Sequence, residues 1–274
     1  MESECASGSP YRFFVPMLRA HSGYLDWIQV NRVGVEIQDL LQPGAFEAGR
    51  IDDLERFWMK NLQDGSVEVS VHGPLVADFL QDPRRTDEGM GHLIRGMDFA
   101  QRIGARFFIV HPLLGRCPTA GVSRAPRDAL EAWKDAHREA TGRGLALLLE
   151  NSNEEIPDPV LELSRSLGEG SASGLCLDLG HAHRHSERDL GQWLAAFADR
   201  LAYVHLYNAT RDGDQHRALG DGEMDITGFL KDLAAAREGV ALCLEMDVPQ
   251  ILASVPWLTS RGLFTLHPIQ ADLF

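Results

Sequence analysis

The stretch Gly174-Leu-Cys-Leu-Asp-Leu-Gly-His181 is a short apolar run that closes with a carboxylate and, three residues later, an imidazole. A near-continuous apolar run of this length is typical of a parallel strand that is buried on both faces. Gly174–Asp178 is therefore a candidate strand, and seven further runs of the same character occur along the chain: Arg12–Pro16, Val33–Gln38, Val67–His72, Arg106–His111, Leu145–Glu150, Leu201–His205 and Val240–Glu245. The sequence predicts eight buried parallel strands.

Longer stretches with helical spacing of apolar residues lie between most of these runs. They are Ile51–Leu62, Arg85–Ile103, Arg127–Thr141, Pro159–Leu167, Glu187–Phe197, Ile226–Ala236 and Pro249–Leu258. Alternation of strands and helices predicts an α/β fold, namely a single (β/α)8 TIM-barrel domain over residues 1–274 with a flexible N-terminus at about 1–10. The alternative is an open doubly wound sheet, but its Gly-rich turn is missing from Phe14-Val-Pro-Met-Leu-Arg-Ala20.

The composition excludes several classes of protein. Forty acidic residues against 26 basic ones give a net charge of −14, which argues against binding of an extended nucleic acid. No apolar run approaches the roughly 18 residues of a membrane span, and the N-terminus lacks the pattern of a signal peptide. The cysteines form no C-x-x-C pair, which predicts neither a disulfide framework nor a zinc ribbon: Cys5, Cys117, Cys176 and Cys243. We therefore expect a cytoplasmic protein.

Polar residues end six of the predicted strands in succession. The third to eighth strands close with a histidine or a carboxylate: His72, His111, Glu150, Asp178, His205 and Glu245. Three more candidates, His181, Asp214 and His216, lie just past strand ends. The carboxyl ends of barrel strands form one rim, where active sites lie, so we expect all nine side chains to converge there.

Such a cluster favours bound metal. Buried carboxylates packed together repel each other unless a cation compensates their charge. Mixed histidine and carboxylate ligands suit Zn²⁺ best, with Mn²⁺ or Fe²⁺ as alternatives, and nine ligands are enough for two or three ions. Clustered metals are typical of displacement at phosphorus. Arg184, Arg211 and Arg217 lie on loops beside the ligands and are predicted to bind a phosphate group.

These residues also give the chain a family resemblance. It resembles the xylose isomerase-like TIM barrels, or AP endonuclease family 2, from about the second strand to the eighth. The motifs are Val71-His-Gly-Pro74, Val110-His-Pro112, Leu149-Glu-Asn151, Leu177-Asp-Leu-Gly-His181, Val204-His-Leu206, Asp214-Gln-His-Arg-Ala-Leu-Gly-Asp-Gly222 and Leu244-Glu245. As a set these motifs are specific, although any one alone would be weak.

One branch of the family implies a hydrolase. The endonuclease IV branch holds three zinc ions with nine ligands, and all nine positions have a match here. This resemblance implies a metal-dependent hydrolase of a phosphate ester in which Glu150, Glu245 and His181 are catalytic. Because the Gly-rich first-strand segment of endonuclease IV is missing and the chain is acidic, we expect a small-molecule substrate rather than long DNA.

The other branch implies an isomerase or epimerase. Its members hold one metal with four residues, which here would be Glu150, Asp178, His205 and Glu245. The two glutamates move protons on a sugar carbon next to a carbonyl, while His181 and Arg211 would hold the sugar or sugar phosphate. Because this set is complete too, the sequence leaves both branches open. A metal-binding barrel without catalysis is the third alternative.

Overall fold

Eight parallel strands close into a barrel in chain order, each paired with the next and β1 with β8. This arrangement is seen in a computed structural model that describes residues 11–62, 65–76, 85–112, 127–168, 172–213 and 215–264. The strands are β1 (Arg12–Met17), β2 (Gly34–Ile37), β3 (Val69–His72), β4 (Phe107–Val110), β5 (Ala146–Glu150), β6 (Ser173–Asp178), β7 (Leu201–His205) and β8 (Ala241–Cys243). The predicted (β/α)8 TIM barrel is confirmed.

Helices follow the strands around the outside of the barrel. Within the described ranges the α-helices are α1 (Leu25–Asn31), α2 (Arg50–Leu62), α3 (Thr86–Arg102), α4 (Arg127–Gly142), α5 (Asp158–Ser166), α6 (Leu179–His185), α7 (Leu190–Phe197), α8 (Ile226–Ala236) and α9 (Val248–Thr259). Short 3-10 turns cover Arg19–Tyr24, Asp39–Leu41 and Ala198–Arg200. None of these helices is both long enough and apolar enough to cross a membrane.

Apart from two helices that the sequence did not predict, the differences from the predicted elements lie at their ends. Strand β8 stops at Cys243, two residues before Glu245, whose backbone N–H bonds back to the Cys243 carbonyl at 2.9 Å. The sequence pattern did not predict α1 or α6; the Asp178 side chain caps α6 by accepting the His181 backbone N–H. The assignment of 1–274 to one domain with a flexible 1–10 stays a prediction, because both termini lie outside the described residues.

Two apolar layers support the strands. Between the strands and the helices lies the larger one, which includes Trp58, Phe99 and Trp193. Inside the barrel, Phe14, Phe107, Ile109, Leu148, Cys176, Tyr203, Ala241 and Cys243 form a second, smaller cluster. Because His205 lies on the same strand as Tyr203, two residues further on, the interior cluster forms an apolar base beneath the polar ends of the strands.

Candidate metal centre

The strand ends bring six of the predicted ligands to one place. His72, Glu150, Asp178 and His205 are the last residues of β3, β5, β6 and β7. His111 follows β4 directly, and Glu245 lies two residues after β8. The side chains of Glu150, Asp178 and His205 are no more than 1% exposed. These groups therefore face one another in surroundings that contain little water.

Glu150 lies at the centre of the cluster because each of its oxygens faces a different group of residues. Its Oε1 atom is 3.0 Å from His205 Nδ1. Its Oε2 atom is 3.2 Å from His72 Nε2 and 3.5 Å from His111 Nε2. One carboxylate thus joins a three-residue group, His72–His111–Glu150, to a second group around His205.

The second group contains four ligands. His205 Nδ1 lies 3.1 Å from Glu245 Oε2 and 3.7 Å from Asp178 Oδ2. Together with Glu150, these residues offer one ligand atom each, and the four atoms lie within 4.8 Å of one another. One histidine and three carboxylates at this spacing match the coordination that Zn²⁺, Mn²⁺ or Fe²⁺ adopts in proteins.

The hydrogen bonds of Asp178 test whether a cation fits. Its Oδ1 atom accepts the Tyr207 hydroxyl at 2.9 Å and the His181 backbone N–H at 2.6 Å. Its Oδ2 atom is buried and has no hydrogen-bond partner among the described residues. A buried carboxylate oxygen is costly to leave unpaired. A divalent cation beside His205 Nδ1 would supply the missing partner, so the residues fit a metal.

The protonation of the metal-free cluster is uneven. Burial raises the pKa of Glu245 to about 7, against the lowering effect of the His205 ring. Burial lowers the pKa of His111 to about 4. Burial would also lower the pKa of His72, but the hydrogen bond and the charge of Glu150 raise it to about 9. Two neighbouring imidazoles therefore share Glu150 while only His72 keeps its proton at neutral pH.

His181 and His216 lie beside the cluster but belong to none of the three ligand groups found among the described residues, of which the third consists of Glu150, Cys176 and His205. His181 Nδ1 is 3.1 Å from the Asn151 carbonyl oxygen and 3.8 Å from Glu150 Oε1. The His216 ring stacks on Tyr207 with centroids 4.0 Å apart, and its Nδ1 contacts the Glu245 carbonyl oxygen. Asp214 lies outside the described residues, so the predicted role of His181, Asp214 and His216 as metal ligands stays a prediction.

The three predicted phosphate-binding arginines are not brought together at the cluster. The Arg211 guanidinium donates to the Ser186 carbonyl at 3.3 Å, Arg217 pairs with Asp221 at 3.6 Å, and Arg184 is exposed. A cavity of about 330 Å³ lies beside Glu245. Its described lining consists of Pro16, Leu18, His21, Gln38, Gln215, His216, Glu245, Met246, Asp247 and Val248. Because the described lining includes none of the three arginines, their binding of phosphate remains a prediction.

Sequence reasoning missed two polar residues of β2 and the turn that follows it. Glu36 is fully buried, and its Oε2 atom is 3.0 Å from His205 Nε2. Gln38 Nε2 donates to Glu36 Oε1 at 2.9 Å and to Glu245 Oε1 at 2.8 Å. The available signal was a single glutamate inside the apolar run Val33–Gln38, a position where a buried strand has no reason to carry a charge.

Residues next to the ligands orient them as well. The Asn151 side chain donates to the Asp178 carbonyl at 2.9 Å and accepts the Asp178 backbone N–H at 2.8 Å. Tyr207, fully buried two residues after His205, binds Asp178 from the other side. The backbone and the carboxylate of Asp178 are therefore both fixed before any cation is bound.

The fold and this cluster define a class: parallel eight-stranded barrels with a buried cluster of histidines and carboxylates at the carboxyl ends of the strands. Within that class the chain belongs to the xylose isomerase-like TIM barrel family, whose model matches residues 34–261. The resemblance that the sequence motifs predicted is thereby confirmed.

Solved structures agree with this assignment. The TTHB071 protein of Thermus thermophilus, soaked with ZnCl2, is 27% identical, with a TM-score of 0.70 over 90% of this chain and 96% of that chain. A D-tagatose 3-epimerase-like protein is 15% identical, with a TM-score of 0.70 over 91% of this chain and 96% of that one. The 3-keto-D-glucoside 4-epimerase YcjR of E. coli is 16% identical, with a TM-score of 0.68 over 91% and 99%. At 15% and 16% identity, the last two structures show the shared fold alone.

A curated relative matches over a shorter stretch. The uncharacterized protein MJ1614 of Methanocaldococcus jannaschii is 22% identical over 142 residues, which cover 50% of this chain and 53% of that protein. The match thus spans about half the length of this relative.

Proposed function

We propose that this protein is a metal-dependent isomerase or epimerase of a small sugar or sugar phosphate. The observation that carries the proposal is the four-ligand group in which Glu150 and Glu245 both approach His205 Nδ1, at 3.0 and 3.1 Å. The similar TTHB071 protein was soaked with ZnCl2, and several proteins of similar fold are named as sugar epimerases. These comparisons favour the isomerase over the phosphate-ester hydrolase that the sequence also predicts.

The ligand group suits chemistry at a carbon next to a carbonyl. A divalent cation held by Glu150, Asp178, His205 and Glu245 would polarise the carbonyl and hydroxyl oxygens of a bound sugar. Glu245 lines the 330 Å³ cavity, so its carboxylate can reach a substrate bound there and transfer a proton. In the metal-free protein burial raises its pKa to about 7, and a bound cation would lower it. Gln38 fixes its second oxygen by a 2.8 Å hydrogen bond.

Glu150 is the complementary acid–base group. It belongs to β5, whereas Glu245 follows β8, so the two carboxylates reach the cluster from different sides of the ring of strands. Burial alone would raise the pKa of Glu150, but the neighbouring His111 and His205 rings hold it well below its usual range. In the metal-free protein the pKa of Glu150 is therefore lowered while that of Glu245 is raised, and separated pKa values are typical of acid–base pairs.

The His72–His111–Glu150 group favours a second candidate function, the hydrolase. These three residues are all buried and could hold a further cation that shares Glu150 with the first. Two adjacent cations are typical of enzymes that cleave phosphate esters. The two functions differ in the number of ions that they need and in the bond that is broken.

Hydrogen exchange in deuterated water separates the two functions. We expect the Mn²⁺- or Zn²⁺-loaded protein to incorporate deuterium at the carbon next to the carbonyl of at least one sugar in a panel of ketoses, aldoses and their phosphates. NMR detects this exchange, and elemental mass spectrometry counts the ions per chain. Glu245→Gln should abolish the exchange, and Glu223→Gln, which removes an exposed carboxylate at the same end of the barrel, should retain it.

Two results would contradict the proposal. Hydrolysis of phosphate esters by a protein with two or three ions, without deuterium exchange into any sugar, would establish the hydrolase. Tight metal binding with neither reaction on both panels would support the barrel without catalysis.

A further inference from the structure

Glu36 is a fully buried carboxylate that none of the proposed catalytic steps uses. It lies on β2, and its described hydrogen-bond partners are His205 and Gln38. Around it, the barrel interior is apolar, with Phe14, Tyr203 and Cys243 close by in the same cluster. Burying an ionisable group in such a layer is costly, so its position calls for a compensating role.

The His205 ring connects this carboxylate to the ligand group. Its Nδ1 atom faces Glu150, Glu245 and Asp178 at 3.0 to 3.7 Å. Its Nε2 atom faces Glu36 Oε2 at 3.0 Å. An imidazole that binds a cation through one nitrogen carries its proton on the other, and the hydrogen-bond partner of that proton sets the orientation of the ring. Glu36 occupies the place of this partner.

Gln38 extends the connection to the proposed acid–base group. Its side-chain nitrogen donates to Glu36 at 2.9 Å and to Glu245 Oε1 at 2.8 Å. Of the two Glu245 oxygens, Oε1 is thus occupied by the amide, while Oε2 lies 3.1 Å from His205 Nδ1. A single buried glutamate therefore contacts one ligand directly and a second ligand through one amide.

We infer that Glu36 is a positioning residue that holds the Nε2–H form of His205 and directs the Nδ1 lone pair at the bound cation, while Gln38 turns Glu245 toward the same cation. The inference rests on the metal site of the proposed function and not on the reaction that the site catalyses. This role would explain why the otherwise apolar strand β2 carries a buried carboxylate.

Metal affinity tests the inference without any measurement of activity. Zn²⁺ dissociation constants are determined by competition with a chromophoric chelator for the wild type, Glu36→Gln and Ser70→Ala. Ser70 is a matched control because it is fully buried on the neighbouring strand and bonds Tyr203 at 3.0 Å rather than a ligand. We expect Glu36→Gln to weaken Zn²⁺ binding about 10- to 100-fold, and Ser70→Ala to leave it nearly unchanged. Equal weakening in both variants, or none in Glu36→Gln, overturns the inference.

A measurement on the zinc-loaded wild type does not depend on how Glu36→Gln and Ser70→Ala fold. Long-range ¹H–¹⁵N correlation spectra of histidine side chains, with the His205 signals assigned through their loss in His205→Asn, report which ring nitrogen carries the proton. We expect the proton on Nε2, and a proton on Nδ1 overturns the inference. A wild type that binds no divalent cation overturns the metal site as well. A wild type that binds Zn²⁺ with Glu36→Gln unaffected overturns only the role of Glu36.

Discussion

At the scale of single residues, Glu150 belongs both to the His72–His111–Glu150 group and to the four-ligand group. Its two oxygens contact His205 on one side and the His72–His111 pair on the other. Both proposed functions therefore need it, whereas only the hydrolase needs His72 and His111. Replacement of Glu150 therefore tests both ligand groups at once. Replacement of His111 tests the His72–His111–Glu150 group, and with it the hydrolase, alone.

Glu150→Gln should abolish metal-dependent turnover. We expect a loss of about 10²–10⁴-fold, because an acid–base group and a shared ligand are removed together. The barrel should persist, since β5 keeps its pairing with β4 and β6. Steady-state kinetics and circular dichroism measure the two effects, with the exposed helix residue Glu162→Gln as the control. An active, metal-replete Glu150→Gln protein would contradict both enzymatic functions.

The affinity for metal should rise with pH up to about 7. In the metal-free protein burial raises the pKa of Glu245 to about 7, so below this pH a cation must displace its proton. The dissociation constant should therefore fall at least about tenfold per pH unit in that range. The change is larger if His205 also releases a proton, because burial would lower the pKa of this ring but the surrounding charges raise it well above its usual range. Calorimetric titrations in buffers of different ionisation heat count the protons released. A pH-independent affinity between about pH 5.5 and 7 would refute this reasoning.

At the scale of elements, α6 shows how a short helix positions a ligand. Asp178 ends β6 and caps α6, and Gly180 in the first turn lies against the Tyr207 ring. Any side chain at Gly180 would overlap that ring, and Tyr207 is the residue that binds Asp178 Oδ1. The turn from strand to helix thus fixes a ligand through an aromatic neighbour.

Gly180→Ala should weaken metal binding and lower the free energy of unfolding by about 1–3 kcal/mol, because the fully buried Tyr207 ring has to shift. The added Cβ forces Tyr207 to shift, and Asp178 loses the hydrogen bond that orients it. We expect the dissociation constant for Zn²⁺ to rise about tenfold, as it does when other groups that orient ligands are lost. Gly142→Ala is the control, because a Cβ there meets no atom within 4 Å. Unchanged affinity in Gly180→Ala would show that Tyr207 is dispensable.

The N-terminus of α7 provides a prediction on stability alone. Asp189 and Gln192 form a capping box, with the Asp189 side chain accepting the Gln192 N–H at 2.8 Å. Asp189→Ala should lower the free energy of unfolding by about 1 kcal/mol. Urea denaturation measures this change, which should leave metal affinity as it was. A loss below about 0.3 kcal/mol would mean that solvent replaces the cap.

The convergence of six polar residues at the strand ends was predictable from the sequence, because in a barrel it depends on topology alone. Apolar runs indicated eight strands, and in a barrel their last residues must meet, whatever the loops do. Glu36 was missed because its burial follows from the closure of the ring, which brings β2 under His205, and not from a local pattern. The place of His216 depends on a loop in which that residue adopts a positive φ of 38°, a conformation that its residue type does not specify.

At the scale of the whole molecule, the cation and the fold are thermodynamically linked. Ligands come from six strands or the residues directly after them, so the unfolded chain cannot present them together. A cation that binds only the folded state stabilises it in proportion to the logarithm of its concentration over the dissociation constant. The metal-free barrel must also hold its buried carboxylates without that compensation.

Removal of metal should therefore lower the melting temperature. At a cation concentration about 1,000-fold above the dissociation constant we expect about 4 kcal/mol of stabilisation, which is about 10 °C in Tm for a domain of this size. Scanning calorimetry of the chelator-treated protein, before and after Zn²⁺ is added back, measures the shift. Glu150→Gln should show almost no shift, and an equal shift in both proteins would place the cation elsewhere.

Closure of the strand ring also has a consequence for the growing polypeptide. The chain carries His72, His111 and Glu150 early, but β8, which pairs with both β1 and β7, comes just before Glu245. A ribosome-bound chain halted before Ala241 lacks both the final strand and the fourth ligand. Binding of a cation by the complete four-ligand group must therefore wait until Glu245 has been synthesised, so a chain that holds the cation in this way has also made all eight strands.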